Sequence, residues 1–302
     1  MKVITMLNKT ERIGEDLSKT YLLGTNIQKS LSPSIHNSLF RKLRIRATYS
    51  LYDVQDSEFE FAISRILQDK NVLGFNVTSP FKERVMQHLS KIDRVCSSTG
   101  AVNTVKMSTR SLSLGYNSDV DGVEASLTEL GFSGKKRGRN QKATVLGAGG
   151  AARACVYAIL KTGVTTITIA NRSSARAEVL IHHFSTQFPR SKLQLVELKG
   201  DAISQEIADS NLLINALSDD ASNVRVDFTC AGNGLRFLDL GYKHESRLLS
   251  AARESGIESL DGLVMLSEQA RKSFEIWTGV KPPSELVRSI ARKSLKRMQE
   301  SE

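Results

Sequence analysis

A chain of 302 residues, 40% hydrophobic and 25% charged, has the composition of a globular protein large enough for two domains with cores of their own. It contains no run near the roughly 20 apolar residues that a membrane helix needs, and its three cysteines, Cys96, Cys155 and Cys230, lack metal-ligand spacing and fit a reducing cytoplasm. The net charge of +10 gathers at Lys135, Lys136, Arg137, Arg139 and Lys142 and again from Arg288 to Arg297; without a nucleic-acid motif these are solvated basic segments whose field favours small anions, not nucleic acid.

In chain order, residues 1–19 read as a poorly ordered leader. Tyr21–Gly24 is a strand, Ser30-Leu31-Ser32-Pro33 a loop, and an amphipathic helix runs to about Leu43. Ala47–Val54 and Val72–Val77 are strands, with a helix from about Ser57 to Gln68 between them. Asn76-Val77-Thr78-Ser79-Pro80-Phe81-Lys82 is a polar turn in which Pro80 suits a first helical turn, so a helix is expected from Phe81. That frame would hold the Lys82 ammonium in a fixed place. Gly100-Ala101-Val102-Asn103-Thr104 puts an amide on a short apolar segment, and Asn117-Ser118-Asp119 precedes a helix from about Val120 to Leu130. Taken alone, Asp119 and the serines read as helix caps.

A second α/β unit follows the basic loop. Strand Ala143–Leu146 runs into Gly147-Ala148-Gly149-Gly150-Ala151-Ala152, and a helix continues to about Lys161. A Gly-x-Gly-x-x-Ala pattern between strand and helix is the setting of a dinucleotide site: the glycines let backbone approach a pyrophosphate, whose charge meets the helix N-terminus. Strand Thr165–Ala170 then ends in Asn171-Arg172-Ser173-Ser174-Ala175-Arg176. No carboxylate stands there to take a ribose hydroxyl, and two guanidiniums flank amide and hydroxyl groups, which favours NADP over NAD. A helix at about Ser173–Phe188, a strand at Leu193–Val196, a short helix at Asp201–Asp209 and strands at Leu212–Asn215 and Leu235–Leu240 continue the alternation. Helices at about Met265–Thr278 and Ser284–Met298 close the chain.

Together, Ser30 to Asn37, Asn76 to Lys82, Gly100 to Thr104, Asn117-Ser118-Asp119, Gly147 to Arg153, Asn171-Arg172-Ser173 and Asp261-Gly262-Leu263 with Met265, Leu266 and Gln269 resemble, in order, the shikimate dehydrogenase family with its quinate/shikimate relatives. The resemblance spans about Tyr21 to Pro282. It implies an α/β protein with an N-terminal substrate domain (1–118 and 262–302), a Rossmann-type NADP domain (119–261) and a site in the cleft between them. It implies Lys82 and Asp119 as the catalytic pair, Ser30, Ser32 and Tyr242 near a substrate carboxylate, and Thr78, Asn103 and Gln269 on ring hydroxyls. Gly147, Ala148, Gly149, Gly150, Ala151, Asn171, Arg172, Ser173, Arg176 and Gly262 fall to the cofactor, and no residue to a metal. The implied activity is reversible reduction of 3-dehydroshikimate to shikimate in aromatic amino-acid biosynthesis, by a cytoplasmic monomer or homodimer. Lys29 replaces a usual His, Ser118 a usual Thr and Val264 a frequent Gly, and Leu217 with Asp219-Asp220-Ala221-Ser222 departs from the family's pattern where the nicotinamide would rest. Shikimate and quinate are not ranked by these residues, and a non-catalytic metabolite sensor on the same fold is the other reading.

Overall fold

The computed structural model describes residues 17–109, 112–136, 139–217 and 224–301. Most of the expected leader lies outside them, but Ser18 and Lys19 do not: they open the first strand, β1 (Ser18–Gly24). With β2 (Ala47–Asp53), β3 (Val72–Val77), β4 (Lys91–Ile92), β5 (Thr104–Thr109) and β6 (Leu112–Tyr116) it forms one sheet in the order β2-β1-β3-β5-β6-β4. β1, β2 and β3 are parallel, and β5 is antiparallel to both neighbours. The parallel part is buried on both faces, so β1 sends Leu22 into one apolar cluster and Leu23 into another. α1 (Ser32–Lys42) covers one side and α2 (Phe59–Gln68) the other, while α3 (Arg94–Thr99) precedes the β5–β6 hairpin. The hairpin and α3 were not expected from the sequence, although Leu112-Ser113-Leu114-Gly115-Tyr116 of β6 does alternate in the manner of a strand.

α4 (Ser118–Glu129) leads to the second unit, past the short pair β7 (Lys135–Lys136) and β8 (Arg139–Asn140). That pair occupies part of the basic loop; Arg137 lies outside the described residues. β9 (Lys142–Leu146), β10 (Thr166–Asn171), β11 (Lys192–Glu197), β12 (Leu212–Asn215), β13 (Arg236–Asp239) and β14 (Glu258–Leu260) form an all-parallel sheet in the order β11-β10-β9-β12-β13-β14. Its strand order reverses between β9 and β12, which opens a crevice at their carboxyl ends. α5 (Gly150–Thr162), α6 (Ser174–Gln187), α7 (Gly200–Ala208) and α8 (Arg247–Glu254) clothe its two faces.

α9 (Leu263–Thr278) and α10 (Ser284–Gln299) return to the first sheet, where Phe274, Trp277, Val287 and Ile290 join the cluster under α1. α4 packs closely on α9: a Cβ on Gly122 would lie 2.6 Å from the Met265 carbonyl oxygen. Arg288 ties these helices together, reaching Glu129 of α4 at 2.5 Å and Glu268 of α9 at 3.4 Å.

Two local expectations need correction. Pro80 does not open a helix at Phe81: the Ser79–Pro80 peptide is cis, Phe81 N–H donates to Thr78 O, and a 3₁₀ turn begins only at Arg84. The Lys82 carbonyl accepts from Val102 N–H at 2.8 Å, which ties this turn to residues 100–103. Nor is Ser30-Leu31-Ser32-Pro33 all loop, for α1 already begins at Ser32 with Pro in its first turn.

His36 is a core residue with a sharp pH consequence. It is fully buried against Tyr49 (ring centroids 4.5 Å apart) and Trp277 (5.1 Å), and neither ring nitrogen has a hydrogen-bonding partner among the described residues. Burial pushes its pKa down to about 3, so the unfolded chain takes up a proton below about pH 6.5 that the folded chain refuses. Stability is then full above about pH 6.5 and falls as pH drops toward 3, by up to about 1.4 kcal/mol per pH unit. Urea titrations at pH 6.5 and 5.0 should show the wild type losing more stability than His36→Phe over that interval; equal losses would refute this role.

Candidate active site

Elements of both sheets converge on a cleft of about 250 Å³ between them. From the first sheet and its loops come Leu22, Ser30, Ser32, Asn76, Val77, Thr78, Lys82 and Asn103; from α4, Asp119. The second unit adds Ala151, Leu240 and Tyr242, and the start of α9 adds Gly262, Met265, Leu266 and Gln269. Every residue that the resemblance assigned to catalysis or substrate therefore faces one space.

At its centre Lys82 Nζ donates to Asp119 Oδ2 at 2.6 Å, with only 14% and 6% of the two side chains exposed. The other carboxylate oxygen, Oδ1, accepts from Asn103 Nδ2 at 2.7 Å. The orientation of that amide is not arbitrary. Asn103 Oδ1 accepts from the backbone N–H of Ser118 at 2.7 Å, and a backbone N–H can only donate, so the amide nitrogen must face Asp119. Asp119 is thus surrounded by donors and acts as an acceptor at both oxygens.

Behind this pair lies a buried polar network that the sequence reading did not assign. Ser273 of α9 meets Asn76 Nδ2 at 3.0 Å, Thr104 Oγ1 at 2.9 Å and Ser118 Oγ at 3.0 Å, and donates to Gln269 O at 2.9 Å. Asn76 Oδ1 in turn accepts from Tyr49 OH at 2.9 Å. Burial pushes the Tyr49 phenol well above its usual range, so it stays a neutral donor. One signal was available: Asn76 is an amide inside the apolar strand β3, where a buried polar group needs partners. The partners themselves come from distant segments and carry no local mark.

At the mouth, Ser30 Oγ accepts from Ser32 N–H at 3.2 Å, which folds the two serines together at the start of α1. Ser32 opens the 11-residue helix α1, and the positive end of that helix dipole favours an anion. Tyr242 sits on the loop after β13, whose Gly241 N–H donates to Asp239 Oδ1 at 2.9 Å, and Asp239 also accepts from Asn215 Nδ2 at 3.1 Å. That carboxylate links the loops after β12 and β13.

The glycine-rich turn lies beside the cleft. Gly147 has φ +109°, and a Cβ there would lie 3.0 Å from Ala216 O, across the point where the strand order reverses. Gly149 has open space where a side chain would be, and a Cβ on Gly150 would meet Lys82 Cδ at 2.8 Å. Gly262 is equally constrained, with Leu240 O 2.1 Å from any Cβ. Asn171 Nδ2 donates to Ser173 O at 2.8 Å, while Arg172, Ser173 and Arg176 are exposed at the start of α6. Ser173 makes no side-chain cap, leaving its hydroxyl available. An open backbone turn, a helix N-terminus and exposed cations fit a dinucleotide with an extra phosphate. These four residues do not line the substrate cleft; they lie at the end of β10 and the start of α6, beside β9 and the glycine-rich turn. Leu217 is described, whereas Ser218 and Asp219-Asp220-Ala221-Ser222 lie outside the described residues. Among the described residues no group of His, Cys, Asp and Glu could hold a metal ion, and no helix is long and apolar enough to cross a membrane. Cys155 is buried in α5, where burial pushes its thiol well up and leaves it inert.

Three segments match family descriptions. Residues 22–105 match the shikimate dehydrogenase substrate binding domain, 131–227 the shikimate/quinate 5-dehydrogenase domain, and 262–292 the shikimate 5′-dehydrogenase C-terminal domain. The chain is 37% identical over 263 residues to the shikimate dehydrogenase (NADP(+)) of Caldanaerobacter subterraneus subsp. tengcongensis, covering 85% of this chain and 90% of that one. Among solved structures it is similar to shikimate 5-dehydrogenase from Listeria monocytogenes in complex with shikimate and NAD, with a TM-score of 0.79, 31% identity and coverage of 93% and 98%. The Thermus thermophilus shikimate 5-dehydrogenase in complex with NADP(H) and shikimate superposes with a TM-score of 0.77 at 27% identity, covering 92% and 99%.

Proposed function

The chain belongs to the shikimate dehydrogenase family, and on that premise we propose that it reduces 3-dehydroshikimate reversibly to shikimate with NADPH. The observation that carries this reading is the short Lys82–Asp119 pair inside a cleft lined by Ser30, Ser32, Thr78, Asn103, Tyr242 and Gln269. Proton transfer needs a positioned ammonium–carboxylate pair of this kind, whereas ligand binding alone does not. Of the described residues, those up to 118 and from 262 onward make up the substrate domain, and those between 119 and 261 the dinucleotide domain. The protein acts as a cytoplasmic monomer or homodimer.

Bound NADPH supplies the hydride that reduces the ring ketone. The chain's own part is to hold the ring and deliver a proton. Ser30, Ser32 and the N-terminus of α1 take the substrate carboxylate, assisted by Tyr242. Thr78, Asn103 and Gln269 accept or donate at the ring hydroxyls and so fix which carbonyl faces the dinucleotide crevice. Lys82 Nζ gives its proton to the carbonyl oxygen as negative charge develops there, and is left as a neutral amine until water in the cleft restores the proton. Asp119 remains a carboxylate throughout, holding Nζ in line; Asn103 holds Asp119.

Absorbance at the reduced-nicotinamide band, with shikimate or quinate and NADP or NAD, tests the reading directly. Turnover of shikimate with NADP is expected, and silence on all four pairs would turn the reading toward a sensor. Within that assay, Ser32→Ala should raise the KM for shikimate by roughly tenfold and change kcat less, because a charge-assisted hydrogen bond to the carboxylate is worth about 1.5–3 kcal/mol and Ser30 remains to bind the anion. A fall in kcat with KM unchanged would place Ser32 elsewhere in the mechanism.

A further inference from the structure

Arg153 lies in the first turn of α5, immediately after the glycine-rich turn, yet its guanidinium serves the other sheet's loops. It is 6% exposed, and Nη2 meets Glu83 Oε2 at 2.9 Å while Nη1 donates to Thr99 O at 3.3 Å. Glu83 follows Lys82 directly, and Thr99 opens the turn that ends in Asn103. A Cβ on Gly100 would lie 2.9 Å from Arg153 Nη1, so that turn closes on the guanidinium with no room to spare. The two turns are also joined to each other, through Val102 N–H donating to Lys82 O at 2.8 Å. On the same helix, a Cβ on Gly150 would meet Lys82 Cβ at 3.0 Å and Cδ at 2.8 Å, so backbone packs against the lysine stem.

Burying a guanidinium here costs desolvation, and its counter-ion, Glu83, is half exposed while its Nε has no partner among the described residues. As a stability device it is poor. As a geometric one it is effective, because a planar, always-charged fork fixes two loops at once. Resting on the catalytic role read for Lys82 above, we propose that Arg153 is a positioning residue that clamps the Lys82 and Asn103 turns to the glycine-rich end of α5. The proton donor and the dinucleotide turn are thereby held in one rigid frame, although they belong to different sheets.

The test compares wild type with Arg153→Met, Arg153→Lys and Glu83→Gln. Gln187 Nε2 donates to Ser98 O at 3.2 Å, a contact from α6 to this face that none of these substitutions removes. In ligand-free protein, hydrogen–deuterium exchange in residues 78–84 and 99–103 should quicken by tenfold or more in Arg153→Met and leave β11 and β14 unchanged. Turnover of shikimate with NADP should fall by 10- to 100-fold in kcat, with both KM values within about threefold, and Arg153→Lys should recover part of it. Glu83→Gln, which keeps shape and fold, should give a smaller loss of three- to tenfold in kcat. Unchanged exchange in the two turns, kcat within twofold of wild type, or a loss confined to KM would each overturn the proposal. The failure of the catalytic reading would look different: an inactive wild type, with the exchange result still deciding whether the clamp exists.

Discussion

Lys82→Ala is expected to lower kcat for shikimate oxidation and 3-dehydroshikimate reduction by roughly 10²–10⁴-fold, the range for removing a positioned acid or base. The affinity for NADPH, read by quenching of its fluorescence, should stay within about threefold. The expectation follows from where the charge sits. Nζ is held at 2.6 Å from Asp119 and is only 14% exposed, so the proton it carries sits at one fixed place facing the ring site. The aliphatic stem does separate work, because it packs against Gly150 at the head of α5. Lys82→Met keeps that packing and removes only the charge, so it should lose turnover as Ala does while preserving stability better. In Lys82→Ala a small alkylamine should restore a measurable part of the rate, since Asp119 and Asn103 remain to orient it. Near-normal turnover in either variant, or a loss that appears only in cofactor binding, would remove Lys82 from the chemistry.

How much of this was written in the chain differs between the two halves of the site. The fingerprint from Gly147 to Ala152 was readable because its constraint is local: strand, turn and helix must follow one another within a short stretch, and Gly147 does adopt a positive φ. Five of the six strands of the second sheet were legible for the same reason, since buried strands alternate with helices at regular spacing, whereas α8 and the edge strand β14 were not expected. The lysine turn was legible as a turn but not as a shape. A cis Ser79–Pro80 bond and a carbonyl committed to Val102 replace the helix that Pro80 suggested, and neither is visible in the residues of the turn alone.

The support behind the site was least legible of all. Ser273, Thr104, Ser118, Asn76 and Tyr49 join five different elements, and each alone is an ordinary polar residue. Their meaning exists only after folding brings α9 against the first sheet. Arg153 was quoted in the sequence as the end of a nucleotide motif, yet its guanidinium turns away from the motif to Glu83 and Thr99. Motif membership gave its position and not its partner.

Cofactor choice carries the second large effect. Replacing both Arg172 and Arg176 by Ala should cut kcat/KM for NADP by roughly 100-fold and leave the value for NAD within about threefold. The magnitude comes from two charge-assisted contacts to a phosphate at about 1.5–3 kcal/mol each, taken at the low end because both side chains are exposed and screened. The selectivity of the wild type should therefore also shrink as salt rises from about 0.05 to about 0.5 M, and that of the double variant should not. Asn171 stands at the end of β10, where an acidic residue would accept from a ribose 2′-hydroxyl and repel a 2′-phosphate. Adding Asn171→Asp to the double variant should thus carry the preference past parity toward NAD. The contrast between the two cofactors is the deciding quantity. If NADP and NAD lose activity together, the arginines serve the pyrophosphate or the fold of α6, and the phosphate reading of this strand end is wrong.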